Sequence, residues 1–179
     1  MKIIVWITCI ALLPLDATIG ETLVFRGASD ASAAVAISDD TFLVADDENN
    51  VLRLYNVTKP GPPISSYDMT SFLDIDPEHP EADIEGATRV GQRIYWITSH
   101  GRNKEGKLRP NRYRFFATDI DVKNNDVTLF PVGKPCKTLV HELLKTKVTR
   151  GLGLDKATRL NAFNLKKKDR EKLPGQIPG

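Results

Sequence analysis

Cysteine and histidine are scarce in this sequence, and their scarcity argues against two classes of protein. The 179 residues include two cysteines, Cys9 and Cys136, and three histidines, His79, His100 and His141. Cys9 lies in the N-terminal apolar run, so one thiol remains once that run is removed. This excludes a domain held together by internal disulfides. The histidines are scattered, with no cysteine or acidic partner at a fixed spacing, so the sequence does not suggest a zinc site.

Only one long apolar run occurs, and it lies at the N-terminus. Residues 3–15 are almost continuously apolar, Lys2 precedes them, and the small residues Thr18 and Gly20 follow. This layout is typical of a secretory signal peptide cut after Gly20, and the run is too short to anchor a mature protein in a bilayer. We therefore predict a signal peptide at residues 1–20 and a secreted or periplasmic protein with no membrane contact after cleavage. The alternative is a buried apolar strand.

Charge divides the remaining sequence into two parts. Residues 21–135 contain 13 Lys+Arg and 18 Asp+Glu, whereas residues 136–179 contain 11 and 4. Asp169 and Glu171 interrupt the basic run of the second part, which favours a solvated helix or linker over a nucleic-acid-binding surface. Apolar residues four apart predict a short amphipathic helix at 138–145. We expect the second part to be a helical, basic insert or the start of a further region.

The first part alternates short apolar runs with polar turns, which predicts two consecutive four-stranded meanders. The expected strands of the first meander are 32–37, 41–45, 51–55 and 64–73. Those of the second are 83–89, 94–99, 113–120 and 127–132. A repeat of roughly 50 residues is the size of a propeller blade. The predicted fold class is all-β, a partial β-propeller of about two blades, and a small β-sandwich is the alternative.

Small residues suit the inner strand of a blade, where neighbouring strands crowd the axis of the ring. Ala33, Ala34, Ala36, Gly86 and Ala87 occupy those positions. Two blades cannot close a ring, since propellers have at least about four. The sequence ends in a loop rich in proline and glycine, so we expect an incomplete propeller, or pairing with another chain if these residues are the whole protein.

Several motifs of the mature chain carry a family resemblance. They are SDASA at 29–33, VADDENNVLRLY at 44–55, DIEGA at 83–87, and YWITSHGRNKEG at 95–106 with the residues 109–116 that follow. The chain resembles the opening of family 3616 of domains of unknown function, whose members are mostly bacterial. The resemblance implies a secreted, propeller-like fold longer than this chain and implies no known activity. A further Glu-Gly strand, expected just past Gly179, is absent.

Asp83 and Glu85 are the first candidate site residues. They open a predicted inner strand, in which alternate side chains point to the same face. Two carboxylates at the mouth of a central channel could bind a hard cation such as Ca²⁺ or act as an acid/base pair. The alternative is structural, with Glu85 bonded to crowded backbone amides and Asp83 a solvated turn residue. We name both as candidate metal ligands and catalytic residues.

Four further residues are candidate ligand-binding residues. The acidic turn 46–50 lacks the spacing of an EF-hand loop and is better explained as a hairpin turn. Asp46 is nevertheless kept, because the end of its strand can face the same end of the blade as Asp30. Arg102 and Arg112 belong to a cluster of six basic residues that could rim the acidic mouth and bind phosphate or carboxylate. The alternative is a solvated loop.

Three functions stay open. The favoured one is an uncharacterised extracytoplasmic domain that presents a ligand-binding face. The second is a metal-assisted phosphate or carboxylic ester hydrolase, by analogy with secreted propeller-like proteins of the phytase-like esterase type, with His100 as a further catalytic candidate. Ser99 and His100 point apart as neighbours and no Gly-x-Ser-x-Gly elbow occurs, so a serine hydrolase is not indicated. The third is a protein-interaction module that docks an unknown partner through residues 136–179.

Overall fold

The computed structural model describes residues 22–105, 107–123 and 126–154, most of which form two four-stranded antiparallel sheets. Sheet 1 is the meander β1 (Ala31–Ala36), β2 (Thr41–Asp46), β3 (Val51–Asn56) and β4 (Ser65–Asp68). Sheet 2 is the meander β5 (Ile84–Val90), β6 (Arg93–Thr98), β7 (Phe115–Lys123) and β8 (Asp126–Cys136). The helices are short: α1 (Thr70–Leu73), α2 (Leu139–Lys145), α3 (Lys147–Arg150) and a 3₁₀ turn at Pro110–Arg112.

The two predicted meanders and the helix at 138–145 are confirmed, and two details are corrected. The strand expected at 64–73 stops at Asp68, and α1 takes the rest. The cause is the Asp68 carboxylate, which accepts a hydrogen bond from Thr70 N at 2.8 Å and turns the chain so that Leu73 is buried. The turn expected at 121–126 is shorter, because β7 and β8 stay paired as far as Lys123 and Asp126.

The sheets stack face to face with their first strands side by side. Ser32 Oγ donates to the carbonyl of Ile84 at one end, and Arg89 donates to the carbonyl of Ile37 at 2.6 Å at the other. Strands β1 and β5 therefore run in the same direction. At the far edge, Tyr67 Oη donates to the carbonyl of Val127 at 2.6 Å. A single apolar core fills the space between the sheets, built largely from Val35, Leu43, Leu52, Leu54, Ile84, Ile94, Trp96, Phe116 and Leu129.

A β-bulge recurs at the same place in both sheets. The pairing of β1 with β2 shifts around Ser32, and the pairing of β5 with β6 shifts around Glu85, 53 residues later. Equivalent turn bonds accompany the bulges, since Asp47 N donates to Asp30 O at 3.2 Å and Ser99 N donates to Asp83 O at 2.8 Å. The two sheets are thus structural repeats, and they do not close into a ring within the described residues.

Two expectations lie partly or wholly outside this structure. The predicted signal peptide at 1–20 falls outside the described residues, as does the basic end from 155 onward. Among the residues that are described, no helix is both long enough and apolar enough to cross a bilayer.

Candidate functional site

The candidate site lies at the end of the molecule where β2 finishes and β5 begins. Asp47 follows β2 directly, Asp83 precedes β5 directly, and Glu85 is the bulged residue of β5. Because β1 and β5 run side by side in the same direction, the turn after β2 meets the start of β5 at this end. A bulge re-aims its extra side chain, and bulges are common beside functional sites.

Three carboxylates converge there. One ligand oxygen from each of Asp47, Asp83 and Glu85 lies within 4.8 Å of the other two. This is the largest separation between two oxygens that both bind one Ca²⁺ at about 2.4 Å. The Asp47 Oδ1 atom is buried and has no hydrogen-bond partner within the part of the chain that the structure describes. A buried acceptor without a partner is unfavourable, so this oxygen is well placed to receive a cation.

The electrostatics of the cluster favour a positive charge. Burial, followed by repulsion from Asp30 and Asp83, raises the pKa of Asp47. Partial burial, followed by repulsion from Asp83 and Asp47, raises the pKa of Glu85, and Arg112 opposes this in part. A bound cation would reverse the repulsion and keep both carboxylates ionised.

Asp83 is held in a conformation that most residues avoid. Its φ is 62°, in the left-handed region, where aspartate is tolerated better than other non-glycine residues. The side chain is 10% exposed, and its Oδ2 lies 2.7 Å from Arg112 Nη1. Arg112 also bonds Glu81 at 3.0 Å. The guanidinium therefore fixes one oxygen of Asp83 and orients the carboxylate towards the cluster.

Three buried side chains form hydrogen bonds to the backbone of residues 73–82, the segment that precedes Asp83. Asn50 accepts from Ala82 N at 2.8 Å and donates to Pro80 O at 2.8 Å. Asn111 donates to the carbonyls of Asp76 at 3.0 Å and His79 at 2.5 Å. Arg114 donates to the carbonyls of Leu73 at 2.8 Å and Asp74 at 3.0 Å. The path from α1 to β5 is thus fixed by side chains from both sheets.

A cleft of about 570 Å³ opens beside the carboxylates. Its walls carry both signs of charge. We call its acidic lining residues, Asp47, Glu48, Glu81 and Asp83, the acidic wall, and its basic lining residues, Arg102, Lys104, Arg109 and Arg112, the basic wall. The two sets meet at Arg112, which pairs with Glu81 and Asp83. His79, Pro80 and Asn103 complete the lining. Arg102 is 8% exposed, so this part of the loop is not the solvated segment that was the alternative interpretation. The cleft can therefore accommodate an anionic group next to a cation.

The structure brings some predicted site residues together and separates others. Asp83 and Glu85 meet in the cluster, and Arg102 and Arg112 line the cleft. Asp30 is exposed and contributes through its charge, which raises the pKa of Asp47 and of Glu85.

Asp46 is fully buried, and structural contacts occupy its carboxylate. It accepts from Ser29 N at 2.7 Å and from Glu48 N at 3.0 Å, and it lies 3.4 Å from Arg53 Nη1. These bonds close the turn after β2 and join it to the segment before β1. We therefore leave Asp46 out of the site.

His100 is directed elsewhere. Its Nδ1 lies 2.8 Å from Thr98 O, its ring packs edge-on against Tyr113, and burial lowers its pKa. It is not among the residues that line the cleft. The described geometry gives it no reacting partner at the carboxylate cluster.

Sequence reasoning missed Asp47 and Asn50. Both belong to the acidic turn after β2, which is also the hairpin turn that the sequence predicts. The signal that could have found them is positional, because this turn and the Asp83–Glu85 segment lie at the same end of neighbouring repeats. Asp47 then faces Asp83, and Asn50 faces the chain that leads to it.

Comparison with known proteins identifies no relative. The chain matches no family model and no curated protein at a significant level.

Proposed function

We propose that this protein is a binding module that holds a divalent cation, Ca²⁺, between Asp47, Asp83 and Glu85, and an anionic ligand against the basic wall of the cleft. The observation that carries this proposal is the convergence of three carboxylate oxygens within 4.8 Å, together with a buried oxygen of Asp47 that has no hydrogen-bond partner among the described residues. Carboxylates from two different sheets supply the ligands, so binding would also tie the sheets together.

Calcium fits this arrangement better than magnesium. Ca²⁺ accepts 6–8 oxygen ligands in flexible geometry, whereas Mg²⁺ demands a near-ideal octahedron and keeps several waters. Three carboxylates in a turn, at a strand start and at a bulge can supply part of such a flexible shell. The remaining ligands would be water and the anionic ligand.

The ligand class follows from the basic wall. A cation at the acidic wall would balance the charge of the carboxylates, and Lys104 and Arg109 line the same cleft. Arginine side chains bind phosphate and carboxylate in bidentate geometry. A phosphate or carboxylate group that also contacts the cation is the ligand best matched to this cleft.

The wider setting is part of the same proposal. The side-by-side β1 and β5, with a repeated bulge, support stacking of the kind found between neighbouring blades of a propeller. The N-terminal apolar run supports export, and the motifs quoted above support kinship with the domain family of unknown function. We propose binding rather than ester hydrolysis, because His100, a catalytic candidate of the hydrolase hypothesis, packs against Tyr113 and does not line the cleft.

A calcium titration of the full chain tests the cation site. Extracellular Ca²⁺ modules have Kd values of about 10⁻⁴ M. At about 10 mM Ca²⁺ such a site adds about 2.7 kcal/mol to the free energy of unfolding, which raises Tm by roughly 5–10 °C. Asp47→Asn should abolish this rise and should also raise Tm in EDTA, since it removes a negative charge that is disfavoured by burial and by repulsion from Asp30 and Asp83. A role confined to structure would not produce both effects.

The matched control is Glu48→Gln. Glu48 is the next residue and lines the cleft, but it is not a member of the carboxylate cluster. This variant loses the same charge and should keep the calcium-dependent rise in Tm. The proposal is wrong if the native chain shows no rise, or if Asp47→Asn and Glu48→Gln respond alike.

Phenyl phosphate tests the anion half of the proposal. Its binding, measured by calorimetry, should tighten when Ca²⁺ is present and weaken at least tenfold in Arg109→Gln. The control is Lys107→Gln in the same loop, because Lys107 pairs with Glu105 at 3.0 Å and does not line the cleft. Binding that ignores both Ca²⁺ and Arg109 would contradict the proposal.

A further inference from the structure

Sheet 2 presents an apolar face that nothing in the described part of the chain buries. The face consists of alternate residues on the four strands, pointing away from the core. Val90 is 65% exposed, Phe130 49% and Ile97 38%, and the rings of Tyr95 and Phe115 stack at 6.0 Å between them. We call this surface the open face. Across the sheet, the Arg93–Asp119 pair lies between Val90 and Phe130, so the face combines exposed apolar side chains with a charged pair. Exposed apolar surface next to polar residues is a mark of an interaction site.

The repeat shows what such a face normally does in this fold. Aligning the two bulges places Tyr95 on Leu43 and Ile97 on Ala45. Leu43 and Ala45 are 0% exposed, because they pack against sheet 2. The open face is therefore the repeat equivalent of a face that, in sheet 1, is covered by another sheet.

In a second copy of the chain, the outer side of sheet 1 is already covered and so is not available to pack against the open face. Phe25 lies over it, with its ring 4.9 Å from Phe42 and 5.5 Å from Tyr55. Tyr55 is 1% exposed and donates to Arg26 O at 2.9 Å. A head-to-tail contact between copies would have to displace this segment, whereas a contact between two open faces displaces nothing described.

The open face also carries charges suited to its own copy. Arg93 and Asp119 form a bidentate pair on it, with bonds of 2.8 and 2.9 Å, and both side chains are about two-fifths exposed. Around a two-fold axis, each residue of one patch meets the same patch on the partner, so opposite charges can exchange partners across the interface.

We propose that the open face is the interface of a homodimer, in which sheet 2 of one copy packs against sheet 2 of the other. The interface involves no residue of the proposed cation site, so either proposal can fail without the other. Two open faces packed against each other would form an ordinary β-sandwich interface. Apolar residues at the interface centre would provide most of the affinity, and the Arg93–Asp119 pairs would set the orientation.

Sedimentation velocity on the full chain over a range of concentrations tests the dimer. The expected species has twice the chain mass of 19.9 kDa. Phe130→Lys should weaken dimerisation at least tenfold without lowering Tm at dilute concentration, since Phe130 is half exposed in the single chain. Val90→Lys, at a second exposed position of the open face, should do the same and replaces it if the first variant does not fold.

The matched control is Ile64→Lys. Ile64 is 51% exposed, almost the same as Phe130, but it precedes β4 in sheet 1 and lies off the open face. This variant should dimerise like the native chain. A monomer at about 100 μM, a mass that keeps rising with concentration as in head-to-tail assembly, or equal dimerisation of Phe130→Lys and Ile64→Lys would each overturn the proposal.

Discussion

Sheet 1 and sheet 2 share a backbone plan and differ in what stands at equivalent positions. Both begin with an aspartate, Asp30 and Asp83, and both are bulged two residues later, at Ser32 and Glu85. The Ser32 hydroxyl donates a hydrogen bond to the carbonyl of Ile84, the residue before Glu85. The Glu85 carboxylate instead belongs to the carboxylate cluster. The bulged residue thus links the two sheets in sheet 1 and supplies a candidate metal ligand in sheet 2.

The loops after the second strands differ in a similar way. Asp47 and Ser99 occupy equivalent places, and each has a buried oxygen without a hydrogen-bond partner among the described residues. Asp47 lies against the carboxylates of the next repeat. The site therefore requires two adjacent repeats, since the turn after β2 comes from sheet 1 and the start of β5 comes from sheet 2.

The largest expected effect comes from Arg114, whose equivalent in sheet 1 is Val51. Arg114→Met leaves the carbonyls of Leu73 and Asp74 without their donors, so it should lower the free energy of unfolding by about 3 kcal/mol. Val51→Ala, at the equivalent half-buried position, should cost only about 1 kcal/mol. Urea denaturation measures both. Similar losses would contradict a special role of Arg114 in fixing the segment before β5.

The next effect comes from making the two bulges alike. Glu85→Ser gives sheet 2 the bulge residue of sheet 1 and removes one ligand, so calcium affinity should fall at least tenfold, about 1.4 kcal/mol. Ser32→Ala, on the other sheet, removes the hydroxyl that bonds Ile84 O and should leave calcium affinity unchanged. Calorimetry with Ca²⁺ separates the two. Unchanged affinity in Glu85→Ser would remove Glu85 from the site.

A smaller effect is expected in the pH dependence of stability. Asp47 and Glu85 have folded pKa values raised above their ordinary values of 3.8 and 4.5. In that situation the folded state binds more protons than the unfolded state, so their contribution to stability is present at low pH and is lost as pH rises through the folded pKa values. Calcium should prevent the loss.

The measurement is the urea midpoint from about pH 4 to pH 8 in EDTA, for the native chain and for the double variant Asp47→Asn, Glu85→Gln. The difference between the two profiles cancels other groups, including His100, whose pKa is lowered by burial. The urea midpoint of the double variant should increase relative to that of the native chain as pH rises. Parallel profiles would show that the pKa values of the two carboxylates are not raised in the folded state.

The sequence predicts the fold well because its signals are local. Alternating apolar residues and acidic or glycine-containing turns indicate each strand, and the structure confirms both meanders. The short helix α1 escapes detection because Thr70–Leu73 spans a single turn, too short for a helical period to be visible. What ends β4 is a side-chain contact of Asp68, which periodicity does not encode.

The site is only half predictable, and Asp46 and Asp47 show why. Both are acidic, adjacent and at the end of a strand, so composition does not distinguish them. Which one turns towards β1 and which towards β5 depends on the stacking of the second sheet. Asp83 and Glu85 could be found because they lie two residues apart at a predicted strand start, although the left-handed backbone of Asp83 and the bulge at Glu85, and not strand alternation, bring their carboxylates together. Asp47 could not, because its partners lie in the next repeat.

The smallest expected effect concerns the cross-strand pair Arg93 and Asp119, whose equivalents in sheet 1 are Thr41 and Asn56. Converting the pair to threonine and asparagine makes the two sheets alike at this position. Both charged side chains are well exposed, and exposed ion pairs contribute little to stability. The Tm of the monomer should therefore change little, and the change should vanish in high salt.

The same double variant should have a visible effect on dimerisation, because the pair lies on the open face. Its dimer should become weaker and lose its dependence on salt, while Phe130→Lys weakens the dimer at any salt concentration. Sedimentation velocity at low and high salt compares them. If the pair contributes only to sheet 2 of its own chain, dimerisation will be unchanged while Tm falls slightly, and the charges would then have no part in orienting the two copies.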